Sequence, residues 1–407
     1  MKDVVVQKFG GTSLANTQRI LAAATRVADT VKDKKKVVVV VSAQAFTTDN
    51  LIEKARLLNP VPNERELDML LSTGEQQSAA LFAMGVKRLG FNAVSLNAWQ
   101  VGIHSTSKHQ NAEIKKVDTK RMLGELGQGK VVVVTGFQGV NEAGDLTTLG
   151  RGASDTTAVA IATVLNAAKC EIYTDVDGIY TADPRMVPSA IKLGSISYDD
   201  MIELASSGVR KPHNRAVEMA RRYGVQIYVR SSMTNSAGTW IKEDAGVERL
   251  LVSGIAIDRN IACISVQGDV SGSLLDLRLF DVLAKHELVI DTIWQQGMGC
   301  ALIFTVRKQD VPKTVNILME HKGELNFTSV TPNENLAKLS VVGSGMSTNC
   351  GIAAIVFKAL REKGIAIEMV AASEIKITVY VNEKQIIKAK EAVHASLMPM
   401  FSEAGAK

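Results

Sequence analysis

The first half of the chain alternates short apolar runs with longer segments whose apolar residues recur every three or four positions. Residues 4–8 read as a strand. Residues 14–31 read as a helix with Ile20, Leu21, Ala24, Val27 and Val31 on one face. Val37 to Val41 is a continuous β-branched run, as expected of a strand covered on both faces in a parallel sheet. It ends at Ser42, and Ala43 to Asn50 reads as a polar loop. Residues 66–88, 118–127 and 154–168 follow as helices, and 92–96, 131–135 and 171–174 as strands. This α/β alternation predicts a three-layer domain with a mainly parallel central sheet and ligands at the strand C-terminal ends.

Beyond about residue 245 the pattern changes. Strands are expected at 261–266, 288–294, 301–306 and 325–330, with helices at 273–286 and 311–322. The pattern then restarts. Ser265-Val266-Gln267-Gly268 is answered by Ser340-Val341-Val342-Gly343, and Leu288 to Asp291 by Ile365 to Glu368. Two ferredoxin-like βαββαβ units follow from this repeat, a module used more often for small-molecule sensing and dimerisation than for catalysis. The expected division is 1–245, 246–335 and 336–407.

Composition narrows the function classes. A chain of 407 residues that is 46% hydrophobic has room for two or three domains with real cores. The net charge of +5 is spread along the sequence, and its densest run, Lys32 with Lys34 to Lys36, reads as a solvated turn. With only 5% aromatic residues no basic, aromatic-laced face is expected, so nucleic acid is not the expected partner. Cys170, Cys263, Cys300 and Cys350 fit neither a zinc pattern nor a disulfide framework. No signal-peptide pattern opens the sequence and no apolar run nears the length of a membrane span, so a reduced, cytoplasmic, non-membrane protein is expected.

Three stretches carry candidate chemistry. In Val4 to Ser13 an apolar run meets Lys8, Gly10, Gly11, Thr12 and Ser13 before a helix. Glycines admit an anion close to backbone N–H groups, a helix N-terminus offers unpaired donors, and Lys8 adds a point charge for a polyphosphate. Thr12 or Ser13 is the expected helix cap; a plain strand-to-helix turn with an exposed lysine is the alternative. In Thr147 to Ala158, Arg151 lies between Gly150 and Gly152 ahead of Ser154 and Asp155, a setting suited to bidentate capture of a carboxylate or phosphate. In Tyr173 to Arg185 three carboxylates, two tyrosines and an arginine surround a turn; the spacing is not that of an EF-hand, and a nucleotide-binding loop fits better. Gly124 to Val131 falls one residue short of a P-loop and precedes a strand, so it reads as a helix end and turn.

These stretches, with Ser42, Thr47-Thr48-Asp49 and Ser72-Thr73-Gly74-Glu75, occur in the order seen in aspartate kinases, and the chain resembles that family over essentially its whole length. The two C-terminal units look like the family's tandem ACT domains. The resemblance implies Mg-ATP-dependent phosphorylation of the side-chain carboxylate of L-aspartate, the first step toward lysine, threonine and methionine. It implies that Lys8 neutralises the transferring phosphoryl group, with Gly10 and Gly11 donating N–H groups and Asp155 positioning Lys8. Arg151 would grip the α-carboxylate and Glu75 the ammonium, with Ser42, Thr48 and Ser154 lining the substrate pocket. Thr174, Asp175, Tyr180 and Arg185 would hold ATP, joined by Arg210 or Lys211. No metal-ligating side chain is implied, Mg²⁺ being held mainly by the nucleotide phosphates. Asp269, Asp291 and Gln295 fall where an amino-acid effector, lysine or threonine, would be contacted, and the ACT units imply a homodimer or an assembly of dimers.

The chain departs from the family pattern at four places. Ala153 stands where a second glycine usually follows the arginine, and a positive φ there would strain the turn by about 1 kcal/mol. Gly208 to Asn214 has its proline two places early. Gly268 to Gly272 lacks the usual proline, and Cys350-Gly351 replaces Pro-Gly. These departures keep two alternatives in view, a catalytically weak sensor or partner subunit and a related kinase with another substrate.

Overall fold

The computed structural model describes residues 3–150, 152–209, 211–243, 251–268, 278–296, 301–325, 327–344, 346 and 351–402. The chain divides into two compact units, the first formed by 1–180, 192–205 and 210–247, the second by 181–191, 206–209 and 248–407.

The first unit begins with β1 (Val4–Phe9), α1 (Thr17–Lys32), β2 (Lys36–Val41), α2 (Thr47–Leu58), α3 (Glu64–Arg88), β3 (Ala93–Leu96) and the single turn α4 (Ala98–Val101). Then come β4 (Ile103–Ser105), β5 (Ile114–Val117), α5 (Lys120–Gly127), β6 (Val131–Thr135), β7 (Gln138–Val140), β8 (Leu146–Thr148), α6 (Ser154–Val164) and β9 (Lys169–Thr174). It closes with β10 (Ser195–Ile196), α7 (Tyr198–Ser206), α8 (Asn214–Tyr223), β11 (Ile227–Ser231) and β12 (Thr239–Ile241). The central sheet runs β10-β12-β11-β9-β1-β2-β6-β3, and β11 with β12 is its one antiparallel pair. The valine runs of β1, β2 and β6 lie in interior strands and are buried on both faces, as β-branched residues in a covered parallel sheet should be.

Strand alternation sends successive side chains of β1 to opposite faces. Phe9 stacks on Tyr173 at 4.6 Å and meets Phe82 of α3 at 5.4 Å, which ties it into the core under α1 and α3. Lys8 points the other way, toward α6. That helix is buried along Ser154 to Ala162, which explains its apolar, alanine- and threonine-rich sequence. A second small sheet, β5-β4-β7-β8, carries the β7–β8 hairpin against α3.

Two local expectations are corrected. The expected loop at 43–50 ends early, because α2 starts at Thr47 with Phe46 in the left-handed region (φ 65°) as its N-cap. The polar first turn of α2 masked it. The cap of α1 is Asn16, whose side chain accepts from the Arg19 N–H at 3.0 Å, whereas the Ser13 hydroxyl bonds Ser232 at 2.7 Å. A short 3-10 turn, Gly11–Leu14, intervenes.

The second unit begins with β13 (Gly254–Asp258), β14 (Ile261–Gly268), α9 (Arg278–Lys285), β15 (Ile293–Gln296) and β16 (Ala301–Arg307). It goes on through α10 (Val311–Glu320), α11 (Lys322–Leu325), β17 (Phe327–Asn333) and β18 (Leu336–Val342) to α12 (Gly351–Glu362), β19 (Met369–Ala372), β20 (Lys376–Asn382) and α13 (Ile386–Ser402). Its two antiparallel sheets have the orders β15-β16-β14-β17 and β13-β18-β20-β19, each with its own apolar core. The strand order is the same in both, and Ser265 and Ser340 fall on the corresponding first strands. The sequence places β13 with the first module. It pairs instead with β18, Gly254 opposite Val342, and so supplies the outer strand of the second module from ahead of the first.

Candidate active site

The C-terminal ends of β1, β2, β6 and β9 bring four loops together. Gly10 donates its N–H to the Tyr173 carbonyl at 3.3 Å, Ser42 to that of Phe9 at 3.1 Å, and Ala45 to that of Gly11 at 3.2 Å. A Cβ on Gly11 would lie 2.6 Å from the Ala43 oxygen, and one on Gly136 would lie 2.7 Å from the Ser154 side chain. Those two glycines are therefore required by close packing of the loops that end β1, β2 and β6 against the start of α6.

The Lys8 ammonium lies 2.6 Å from Asp155 Oδ1, with both side chains buried. The other oxygen of Asp155 accepts the His213 backbone N–H at 3.0 Å. Asp155 thus has partners on both oxygens and holds Lys8 at the end of its strand. A buried ammonium fixed this way is a pre-organised positive charge, suited to an anion that gains charge during reaction.

Glu75 lies on the inner face of α3, against the loop that ends β2. It is 3% exposed and its Oε1 accepts the Ala43 N–H at 2.9 Å. Its Oε2 is buried without a hydrogen-bond partner. Burial pushes its carboxyl up to about 8, against the pull of the Ala43 N–H. Gly74 beside it allows α3 to approach, since a Cβ there would stand 2.8 Å from Ala43 Cβ. Ser42 and Thr48 are half-buried around this point and Ser154 is buried.

The turn before α6 has its positive φ at Gly150 (87°) and Gly152 (78°), and a Cβ on Gly152 would lie 2.5 Å from His213 Cδ2. Ala153 is right-handed at φ −72° and buried with Leu71, Phe137 and Leu149. The alanine therefore introduces no strain, and one ground for expecting a weakened enzyme is removed. Arg151 lies outside the described residues. Its turn is stapled by Arg215 of α8, which donates to the Leu149 carbonyl at 2.7 Å and the Ala112 carbonyl at 3.1 Å.

The expected nucleotide loop is assembled in part. Thr174 is buried and donates to Asp175 Oδ1 at 2.8 Å, and Lys211 reaches the same oxygen at 3.1 Å. Partial burial works to raise the Asp175 carboxyl, but the Thr174 hydroxyl and Lys211 outweigh it and hold it below its usual range. Tyr180 donates to Asp177 Oδ1 at 2.6 Å, and burial with that bond pushes its phenol up to about 12. Arg185 falls in the second unit, exposed, with its guanidinium on Asp183 at 2.8 Å. The 208–214 loop, where the sequence departs from its pattern, supplies both Lys211 and the His213 N–H, and joins Lys211 to Pro212 by a cis peptide bond. Arg210 lies outside the described residues.

Of the effector positions, Asp269 is outside the described residues. Asp291 accepts from the buried Lys338 at 2.6 Å, and Gln295 is exposed on the edge strand β15. Sequence reading missed Asp68, Gln138, His213 and Arg215. Asp68 is fully buried and accepts from Thr148 Oγ1 at 2.6 Å and from the Gln110 backbone N–H, with the His109 ring 2.8 Å away. The spacing of Asp68, Ser72, Glu75 and Ser78, a polar stripe at helical period on a buried face, was the available signal.

The chain matches the amino acid kinase family over residues 3–231 and an ACT domain over 339–397. It is 46% identical to the aspartokinase of Bacillus sp. (strain MGA3) over 396 residues, covering 96% of each chain. Escherichia coli aspartokinase III in complex with lysine and aspartate is 26% identical, with a TM-score of 0.73 and coverage of 97% of this chain and 99% of that one. The same enzyme with aspartate and ADP shares the fold, with a TM-score of 0.85 at 24% identity and coverage of 97% and 100%.

Proposed function

The chain belongs to the amino acid kinase family, within it to the aspartokinases, and on that premise we propose that it transfers the terminal phosphoryl group of ATP to the side-chain carboxylate of L-aspartate. The product is the acyl phosphate 4-phospho-L-aspartate. The observation that carries this reading is the pairing of a pre-organised lysine, Lys8 on Asp155, with a buried carboxylate, Glu75, that has one oxygen left for a cation. A substrate bearing an ammonium at one end and a carboxylate at the other would set its ammonium on Glu75, ionised on binding, and its carboxylate beside the phosphoryl group that Lys8 neutralises.

Aspartate's own carboxylate is ionised at neutral pH, so transfer needs alignment and charge neutralisation and no general base. Lys8 neutralises the phosphoryl oxygens, and Asp155 orients Lys8 without taking a proton. Gly10 and Gly11 let the phosphates come close. Because the Gly10 N–H is directed at Tyr173, its part is close approach and not donation. Glu75 receives the α-ammonium and Arg151 the α-carboxylate, with Ser42, Thr48 and Ser154 around them. Thr174, Asp175, Tyr180 and Lys211, with Arg210, form the ATP side; Arg185, held on Asp183, is the weakest member of that set. Mg²⁺ supplies further charge neutralisation when bound with ATP. Asp155, Asp175 and Asp177 are already matched to Lys8, Lys211 and Lys192, which favours a metal held by the phosphates.

We further infer a catalytic domain over 1–245 and ACT units over 246–335 and 336–407, with Gly254–Asp258 lent to the second. The ACT units would bind lysine or threonine near Asp269, Asp291 and Gln295 and pair between chains, giving a cytoplasmic homodimer. Exposed Val289, Ile293 and Val370 beside the edge strands β15 and β19 suit such pairing. The test is ADP release with Mg-ATP and L-aspartate, trapping the acyl phosphate as a hydroxamate, beside glutamate and acetylglutamate and with and without lysine and threonine. Hydroxamate from aspartate alone is expected; none from aspartate overturns the reading. Sedimentation at micromolar concentration that shows only a 43.8 kDa species overturns the dimer.

A further inference from the structure

Gln138 begins β7, is 0% exposed, and donates its Nε2 to the Ser72 carbonyl at 3.0 Å. A carbonyl can only accept, so the amide nitrogen must face Ser72 and the amide oxygen must point away from it. That oxygen is buried without a hydrogen-bond partner. The Nε2 bond is to the main chain of Ser72, less than one helical turn before Glu75 on α3. Glu75 Oε2, Ser78 Oγ and Thr135 Oγ1 are likewise buried and unpartnered. A buried polar atom without a partner costs roughly 1–3 kcal/mol, so these unsatisfied groups on α3, β6 and β7 are ones that a polar guest would relieve.

Gln138 is also tied to the strand that precedes the arginine turn in the chain. It pairs with Thr148 across the β7–β8 hairpin, and β8 runs straight into the Arg151 turn. Leu149 closes that hairpin by donating to the Phe137 carbonyl at 2.8 Å. One hairpin thus carries the Gln138 acceptor, while α3 carries Glu75 and the Ser72 carbonyl that orients the amide.

We propose that Gln138 is a specificity-determining residue whose amide oxygen accepts a second hydrogen bond from the substrate ammonium, beside the carboxylate of Glu75. An ammonium has three donors and one carboxylate oxygen satisfies one of them, so a second fixed acceptor favours a free α-ammonium over an acylated or missing one. The inference rests on the assignment of Glu75 to the ammonium.

Gln138→Met keeps the length of the side chain and removes the acceptor, together with the donor to the Ser72 carbonyl. It is expected to raise the KM for L-aspartate about 10- to 100-fold, the worth of one hydrogen bond to a charged group, with the KM for ATP little changed and the melting temperature lowered by the loss of the Ser72 bond. Gln138→Glu, which keeps an acceptor but loses the donor to Ser72, separates the roles: a structural role predicts the same rise as Gln138→Met, and an acceptor role a smaller one. An aspartate KM within threefold of the parent overturns the proposal. Glu75→Gln is run alongside. If it raises the aspartate KM and Gln138→Met does not, only the role of Gln138 fails; if neither does, the ammonium site itself is misplaced. Should Gln138→Met not fold, a crystal structure of the unaltered protein with L-aspartate and a non-hydrolysable ATP analogue decides. Gln138 Oε1 about 3 Å from the ammonium supports the proposal, and a water or any other group in that place overturns it.

Discussion

Replacing Glu75 by Gln tests the site most sharply, because the two side chains differ in charge and hardly in shape. The amide oxygen can keep the bond from the Ala43 N–H. In the ligand-free protein burial holds the Glu75 carboxyl at about 8. At pH 7 it is therefore roughly nine-tenths protonated and neutral, so the substitution changes little there. On the assignment of Glu75 to the ammonium, aspartate binding requires the ionised form. Breaking a buried pair costs about 3–5 kcal/mol, but the parent protein must first release a proton, which costs about 1.4 kcal/mol at pH 7. The difference is a rise of roughly 10- to 400-fold in the KM for aspartate at pH 7, with ATP affinity unchanged. The pH dependence has a definite sign. Below about pH 8 the parent's KM for aspartate should fall as pH rises and then level off, whereas that of Glu75→Gln should stay flat. Calorimetry of aspartate binding in two buffers of different ionisation enthalpy should show proton release by the parent at pH 7 and none by the variant. Stability moves the opposite way. The neutral buried carboxyl favours the folded state fully below about pH 4.5, its ordinary value, and that contribution is lost as pH rises toward about 8. Glu75→Gln should therefore melt above the parent at pH 9. Equal aspartate KM values, or no proton release, would refute the assignment of Glu75 to the ammonium.

Lys8→Met leaves Asp155 buried with its cation gone and should cost about 3–5 kcal/mol of stability, most of which Lys8→Met/Asp155→Asn restores. Both should lose roughly 10²- to 10³-fold in kcat, and a double variant with near-normal turnover in the ADP-release assay would show that Lys8 does not act on the phosphoryl group. Ala153→Gly should lower the melting temperature, by about 1 kcal/mol in free energy, with turnover changed less than twofold, since the alanine is already in a right-handed conformation. Gly152→Ala, at φ 78° and against His213, should instead raise the aspartate KM sharply. A large gain in activity from Ala153→Gly would mean that the alanine does strain the arginine turn. Lys211→Ala should raise the KM for ATP several-fold and not that for aspartate, with a stability change below about 1 kcal/mol because the Lys211–Asp175 pair is exposed. An unchanged ATP KM would remove Lys211 from the nucleotide site.

Much of this protein is determined locally and is therefore legible in its sequence. The β-branched runs of β1, β2 and β6 can be satisfied only inside a covered parallel sheet, so their order already implies the α/β layer. Lys8, Gly10 and Gly11 suggest an anion site because one short stretch holds the charge and the close approach together, although the helix itself starts only at Thr17. The ferredoxin-like repeat shows in the recurrence of Ser265 to Gly268 at Ser340 to Gly343, since each module must rebuild the same strand. What the tertiary structure decided depends on groups far apart in sequence. Asp155 meets Lys8 and the His213 N–H only when α6 packs across the sheet and the segment just before α8 comes beside it. Whether Ala153 strains its turn is a question of φ, and a residue name does not carry φ. The unpaired oxygens of Glu75 and Gln138 exist only because α3 and the β7–β8 hairpin exclude water from both. The strand Gly254–Asp258 joins β18 across the whole intervening module, and hydrogen bonds between strand edges leave no mark in the order of residues.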